Sequence, residues 1–303
     1  MIIEKPGKVT DRIWLLGRKE SCVYLLKGKE EYALLGGGMI HIVPDVLRQL
    51  KDFNIEAEKI KRIVVLHSHF DHCGIVPFLK KRWPWIRVTA SARAKDLLSK
   101  PKVIETIESL NQALLVESGQ KDSAKGMGID FHGITVEEVV SQGDVVVCGD
   151  LILEVIEVPG HSSCSIAIYV PQEKAMFASD AGGIPFGDEI FTAANSNFDK
   201  YQTSLDKMAG YEIRVFLAEH FGARTGNRAR EYLRKSIDSA GKTRKIIEES
   251  YLCTKDVEKS TEEITDQLMK NVPEGFMSRS VFTLVIGQMV SYLAKQIDAI
   301  ERT

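Results

Sequence analysis

The sequence is poor in the features that mark secreted, membrane-spanning and nucleic-acid-binding proteins. Its five cysteines (Cys22, Cys73, Cys148, Cys164, Cys253) are odd in number, far apart and without a CxxC pair. No disulfide framework is expected, and a reducing cytoplasmic setting is. The start, Met1-Ile2-Ile3-Glu4-Lys5-Pro6-Gly7, has no basic stretch leading into an apolar one. The longest apolar stretch, near Val281 to Leu293, is interrupted by Gln288. It is too short to span a bilayer, so neither secretion nor membrane insertion is expected. A net charge of -2 provides no field that would draw in nucleic acid. What the chain does have is 44% hydrophobic residues over 303 positions, enough to bury a large core in one or two domains.

Histidine is scarce as well, at 7 in the whole chain, yet His67, His69 and His72 share the hexapeptide His67-Ser68-His69-Phe70-Asp71-His72, directly after Ile63-Val64-Val65-Leu66. A strand ending at Leu66 would deliver that loop to a sheet edge, where a carboxylate and three imidazoles can converge on a cation. Val158-Pro159-Gly160-His161, Met176-Phe177-Ala178-Ser179-Asp180 and Leu217-Ala218-Glu219-His220 repeat the arrangement, each placing a candidate ligand where a strand-like run breaks into a loop. That is where open α/β sheets put their chemistry. Any of these histidines alone would be read as structural. Together His67, His69, Asp71, His72, His161, Asp180 and His220 are too many for one tetrahedral zinc and suit two ions sharing a carboxylate.

The succession HxHxDH, PGH, SD, EH resembles the metallo-β-lactamase superfamily. The resemblance implies that His67, His69 and His161 hold one metal, that Asp71, His72 and His220 hold the second, and that Asp180 bridges them. One departure stands out. The family usually carries an aspartate at the end of an early strand, in support of the ligands, and here Leu34-Leu35-Gly36-Gly37-Gly38 has Gly36. Its absence bears on the tuning of the metals more than on their presence. Within the superfamily, the run His67-Ser68-His69-Phe70-Asp71-His72-Cys73-Gly74-Ile75-Val76-Pro77-Phe78-Leu79, then Ala90-Ser91-Ala92-Arg93 and Glu108-Ser109-Leu110-Asn111-Gln112-Ala113-Leu114-Leu115, is similar to the quinolone-signal-response family of 2-aminobenzoylacetyl-CoA thioesterases. That likeness implies a thioesterase-like hydrolase, with iron among the candidate metals and a signalling role partly separable from hydrolysis. The acidic residue that those relatives carry shortly after the bridging aspartate is replaced by Ile184, which predicts an apolar pocket wall.

Along the chain, residues 9–35 read as a β-meander, Pro44 to Phe53 as a helix, 61–66 as a strand and Gly74 to Lys81 as a helix that Pro84 stops. Val103, Ile107, Leu110, Leu114 and Leu115 predict an amphipathic helix over 102–119. Strands return over 134–180 and 213–217. The expected fold class is therefore α/β: a four-layer αββα metallo-β-lactamase sandwich over residues 1–225. A helical C-terminal extension over 226–303 packs on it. In the extension Phe282, Val285, Ile286, Met289, Val290, Leu293, Ile297 and Ile300 form a helical stripe. It reads as a docking helix, a lid over the metals or a homodimer face, and Phe276 and Met277 suit an adaptable pocket wall.

Two cations bridged by Asp180, whether iron, zinc or manganese, would leave a bridging hydroxide as nucleophile, while Asp71 and Asp180 act as the catalytic carboxylates. A thiolate, with a pKa of about 8.5, leaves without much help. An amide or phosphodiester needs a general acid, and His41 and His132 lie outside the motifs. The expected substrate is thus a small-molecule thioester or ester, foremost an acyl-CoA thioester. A lactone or hydroxyacylglutathione is the alternative substrate, and a regulator acting through a partner is the alternative role.

Overall fold

The computed structural model describes residues 1–270, 272 and 277–302. In chain order its strands are β1 (Ile2–Ile3), β2 (Gly7–Lys8), β3 (Ile13–Arg18), β4 (Ser21–Lys27), β5 (Tyr32–Leu35), β6 (Ile60–Val64), β7 (Arg87–Ser91), β8 (Glu138–Val140), β9 (Val145–Cys148), β10 (Leu151–Glu157), β11 (Ile166–Val170), β12 (Ala175–Phe177), β13 (Ile184–Phe186), β14 (Glu189–Phe191), β15 (Val215–Leu217) and β16 (Ala223–Thr225). The helices are α1 (Val43–Asp52), α2 (Val76–Arg82), α3 (Ala92–Leu98), α4 (Pro101–Glu117), α5 (Lys121–Met127), α6 (Phe198–Ala209), α7 (Asn227–Thr254), α8 (Val257–Met269) and α9 (Arg279–Glu301). The chain divides into two units. One comprises Met1–Glu157, Cys164–Ser179 and Ile213–Arg230, the other Val158–Ser163, Asp180–Glu212 and Glu231–Thr303.

In the first unit, strands with apolar residues on both faces are buried on both sides, because successive side chains point opposite ways. Val23, Leu25 and Leu34 join one core with Val46, Leu50, Leu79 and Ile107 from α1, α2 and α4. Their neighbours Tyr24, Leu26 and Leu35 join a second core with Leu153, Phe177 and Leu217. The result is a helical layer on one seven-stranded sheet, β2-β3-β4-β5-β6-β7-β8, and a second sheet, β1-β16-β15-β12-β11-β10-β9, on its other face. The pairs β5/β6, β6/β7 and β12/β15 are parallel, so β6, β12 and β15 each end into a loop on the edge where candidate ligands follow. The meander, the helix predicted from Pro44 and the helix predicted over 102–119 are all present, with α4 at Pro101–Glu117. Gly74 and Ile75 precede α2 rather than beginning it.

The second unit holds the β13/β14 hairpin, α6, α8 and α9. Side chains close the starts of its helices: Asn197, Asp256 and Ser278 accept from the backbone N–H three residues on. The predicted stripe of α9 is buried from Phe282 through Leu293, and Phe282 lies against the Phe191 ring at 4.8 Å. Ile297 is half-buried and Ile300 is 74% exposed, so burial ends short of the stripe's last members. Among the described residues no helix is long and apolar enough to cross a membrane.

Candidate metal centre

The loop after β6 ends in a single 3-10 turn, Phe70–His72, which sets Asp71 and His72 side by side. His220 arrives from the end of β15. The three meet closely in the first unit: His72 Nε2 is 3.1 Å from His220 Nε2 and 3.3 Å from Asp71 Oδ2, and His220 Nε2 is 3.5 Å from Asp71 Oδ2. Donors bonded at about 2.0–2.1 Å around a tetrahedral ion stand about 3.3–3.4 Å apart, so the triangle has the dimensions of a coordination edge. Lone pairs this close repel unless a cation or a proton lies among them, and the set therefore fits a divalent metal. Burial opposes ionisation of Asp71, but the charges and hydrogen bonds of His72 and His220 outweigh it and hold its carboxyl well below the usual carboxylate range.

Behind the candidate donors, the other imidazole nitrogens each have a polar neighbour. His220 Nδ1 lies 2.7 Å from the Glu20 carbonyl oxygen, His72 Nδ1 lies 3.0 Å from Glu219 Oε2, and His67 Nδ1 lies 3.2 Å from Ser179 Oγ. The carbonyl, which can only accept, places a proton on His220 Nδ1 and leaves Nε2 as its lone-pair nitrogen. His67 stands beside His72, ring centroids 4.1 Å apart, and His69 stands edge-on to His67 at 4.6 Å.

The second unit brings together His161 and Asp180, both buried, with His161 Nε2 3.6 Å from Asp180 Oδ2. His161 Nδ1 is held 2.8 Å from the Ala193 carbonyl oxygen. The glycine before it is required by space. Gly160 has φ +135, and a Cβ there would come within 2.3 Å of the Tyr201 backbone nitrogen. Its carbonyl accepts from the N–H groups of Ser196 and Asn197 at 2.9 and 3.0 Å, which ties the histidine loop to the start of α6.

Of the expected pocket residues, Ile184 is buried in β13 opposite Phe191, and Met277 is half-buried just before α9. Phe276 lies outside the described residues. Cys73 and Cys164 are buried thiols. Cys73 Sγ meets the His69 carbonyl oxygen at 3.2 Å and Cys164 Sγ meets Ser68 Oγ at 3.3 Å, and burial pushes the Cys73 thiol far up. Both sit beside candidate ligands, and their burial fits inert thiols.

Two motif residues that the sequence reading gave no role are Glu219 and Ser179. Glu219 is 2% exposed, and a signal for it existed: a carboxylate at the end of the apolar run Val215-Phe216-Leu217-Ala218 must find a partner if it is buried. Ser179 donates to Glu219 Oε2 and is held at φ +48, a conformation that non-glycine residues adopt at a cost.

The chain belongs to the metallo-beta-lactamase superfamily, whose description matches residues 17–220. Among solved structures, the metallo-beta-lactamase family protein TTHA1429 from Thermus thermophilus is similar over 95% of this chain and 95% of its own, with a TM-score of 0.68 and 16% identity. Match and likeness together give the chain the metallo-β-lactamase fold class that its motifs led us to expect. Among curated proteins, the human acyl-coenzyme A thioesterase MBLAC2 is 23% identical over 179 residues, 57% of this chain and 61% of that protein. A hydroxyacylglutathione hydrolase from Methylobacterium nodulans is 29% identical over 135 residues, 45% of this chain and 38% of that protein. The chain thus spans less than two thirds of the length of these curated relatives.

Proposed function

We propose that the chain is a metal-dependent hydrolase of an acyl-CoA-type thioester. The observation that carries the reading is the meeting of Asp71 Oδ2, His72 Nε2 and His220 Nε2 within 3.1–3.5 Å. In this reading those three hold one divalent cation, iron, zinc or manganese. His67, His69 and His161 hold another, and Asp180 bridges. Bound there, the cations supply Lewis acidity that acidifies a water and polarises the scissile carbonyl.

The chain's own groups prepare that chemistry. The Glu20 and Ala193 carbonyls fix the protonated nitrogens of His220 and His161, so these imidazoles meet a cation without reorienting. The Asp71 carboxylate, 3.3 and 3.5 Å from the two imidazoles, would contribute negative charge where cationic charge must be balanced. The remaining histidines are placed elsewhere: His41 is buried 3.4 Å from Glu20 Oε1, and His132 is exposed 2.9 Å from Asp130. Neither is set among the donors as a proton source for a poor leaving group. A thiolate, with a pKa of about 8.5, departs without one.

Human MBLAC2, named as an acyl-CoA thioesterase, supports the acyl-CoA class. So does the motif likeness to the quinolone-signal-response thioesterases, and the buried Ile184 suits an apolar acyl group. The Methylobacterium relative's name favours an acyl-glutathione as the second candidate. Protein purified without chelator is expected to carry about two equivalents of metal. It should turn over aromatic acyl-CoA esters faster than acyl-glutathiones or lactones, and lose that turnover on chelation until metal is restored. Less than one equivalent in folded protein, or turnover indifferent to chelator, overturns the reading.

A further inference from the structure

The carboxylate of Glu219 touches two of the proposed ligands from behind. Its Oε2 lies 3.0 Å from His72 Nδ1 and accepts the Ser179 hydroxyl proton, and Ser179 Oγ lies 3.2 Å from His67 Nδ1. The protons run one way along this chain. Ser179 gives its only proton to Glu219, so its oxygen can only accept from His67 Nδ1, while the anion beside His72 favours a proton on that nitrogen as well. One buried carboxylate thereby orders the Ser179–His67 contact, favouring Nε2 as the lone-pair nitrogen of His67, and stands 3.0 Å from His72 Nδ1. Its space comes from a missing side chain. Gly36, at φ +87, sits where an added Cβ would fall 2.1 Å from Glu219 Oε1, so no side chain at position 36 can coexist with Glu219 in this place.

We propose that Glu219 is the positioning residue of the metal centre, with Ser179 as its relay and Gly36 as the vacancy that admits it. The proposal rests on the reading of Asp71, His72 and His220 as metal ligands. Its consequence is reciprocal: a side chain at position 36, strained at φ +87, must displace the Glu219 carboxylate from this place. A carboxylate absent from the end of β5 has then not been lost, because the loop after β15 supplies it from the opposite side.

The test compares wild type with Glu219→Gln, Glu219→Ala, Gly36→Asp and the double variant Gly36→Asp/Glu219→Ala. It reads zinc affinity by chelator competition and the visible spectrum of the cobalt-substituted protein. Glu219→Gln keeps the volume and loses the charge, and it should lower affinity about 10–100-fold and change the cobalt bands. Glu219→Ala should do the same. Gly36→Asp alone should fold poorly or bind weakly, and the double variant should recover at least about tenfold over Glu219→Ala, in the range that hydrogen-bond partners of metal ligands contribute. Wild-type affinity and cobalt bands in both Glu219 variants overturn the proposal, as does a folded double variant no better than Glu219→Ala, or metal density bonded to Glu219 itself. If the double variant does not fold, Glu219→Gln alone decides. A wild-type protein that binds no metal refutes the reading of the site, whereas two bound metals that ignore Glu219 refute only this inference.

Discussion

The stripe on α9 distinguishes a helix that completes a core from one that merely covers a site, and Phe282 is where the two readings diverge most. It is 0% exposed and its ring lies 4.8 Å from that of Phe191, tilted by 41°. Truncating a fully buried phenylalanine to alanine costs about 3–5 kcal/mol, part of it the cavity left behind. The aromatic pair accounts for about 0.5–1.5 kcal/mol of interaction beyond area burial. At about 2–4 °C per kcal/mol for domains of this size, Phe282→Ala should lower the melting temperature by about 6–20 °C. Leu284, two positions on, is 61% exposed, and its truncation should stay within about 0.5 kcal/mol, hence about 2 °C at most. Thermal melts followed by circular dichroism at equal protein concentration supply the comparison. Equal shifts for the two variants, or no shift for Phe282→Ala, refute the packing. The result also governs how a covering role can be tested. Deleting everything from Asp256 would remove a core together with any lid, so substrate-specific effects on KM are better read from Val281 and Leu284, 46% and 61% exposed.

Two further outcomes follow from local geometry. Gly160→Ala forces an L residue to φ +135 and drives a Cβ to 2.3 Å from the Tyr201 backbone nitrogen. Strain of about 1–3 kcal/mol and overpacking of about 1–3 kcal/mol should appear as a lower urea midpoint, and an unchanged midpoint contradicts the close approach. Native protein should expose one thiol, Cys253, to an aromatic disulfide reagent near neutral pH and all five after denaturation. The other four are buried, with burial pushing Cys22 up to about 12 and Cys148 up to about 11, so a second fast-reacting thiol would refute that burial.

The hexapeptide His67–His72 could be singled out in the sequence because its candidate ligands are local: a strand, a break and a pattern of donors fit in one window. The histidines and aspartate further on stood out by the same grammar of an apolar run followed by a candidate ligand. Periodicity did less well inside the helices. The predicted face of α4 included Leu110, which is 42% exposed, whereas the buried line runs through Ile107, Asn111 and Leu115. An apolar count favours leucine, but the four-residue spacing chooses Asn111, and a buried amide cannot be recognised without its surroundings. Helices α3 and α5, of seven residues each, offered too few turns for any period to emerge.

Glu219 shows a different limit. A sequence displays side chains that are present, and the place of Glu219 depends on one that is absent 183 positions earlier, from 219 minus 36. Gly36 read alone is a departure from the superfamily's pattern, and Glu219 read alone is an acidic residue next to a histidine. Only the folded chain makes them one feature, because the volume a Cβ would take at position 36 is the volume the carboxylate fills. Since a buried carboxylate costs several kcal/mol unless it is paired, the pairing of Glu219 with Ser179 and His72 is what makes its burial tolerable. The same pairing stiffens His72, and through Ser179 it reaches His67. A substitution that looks like the loss of a support is therefore, in this proposal, its transfer to the loop after β15.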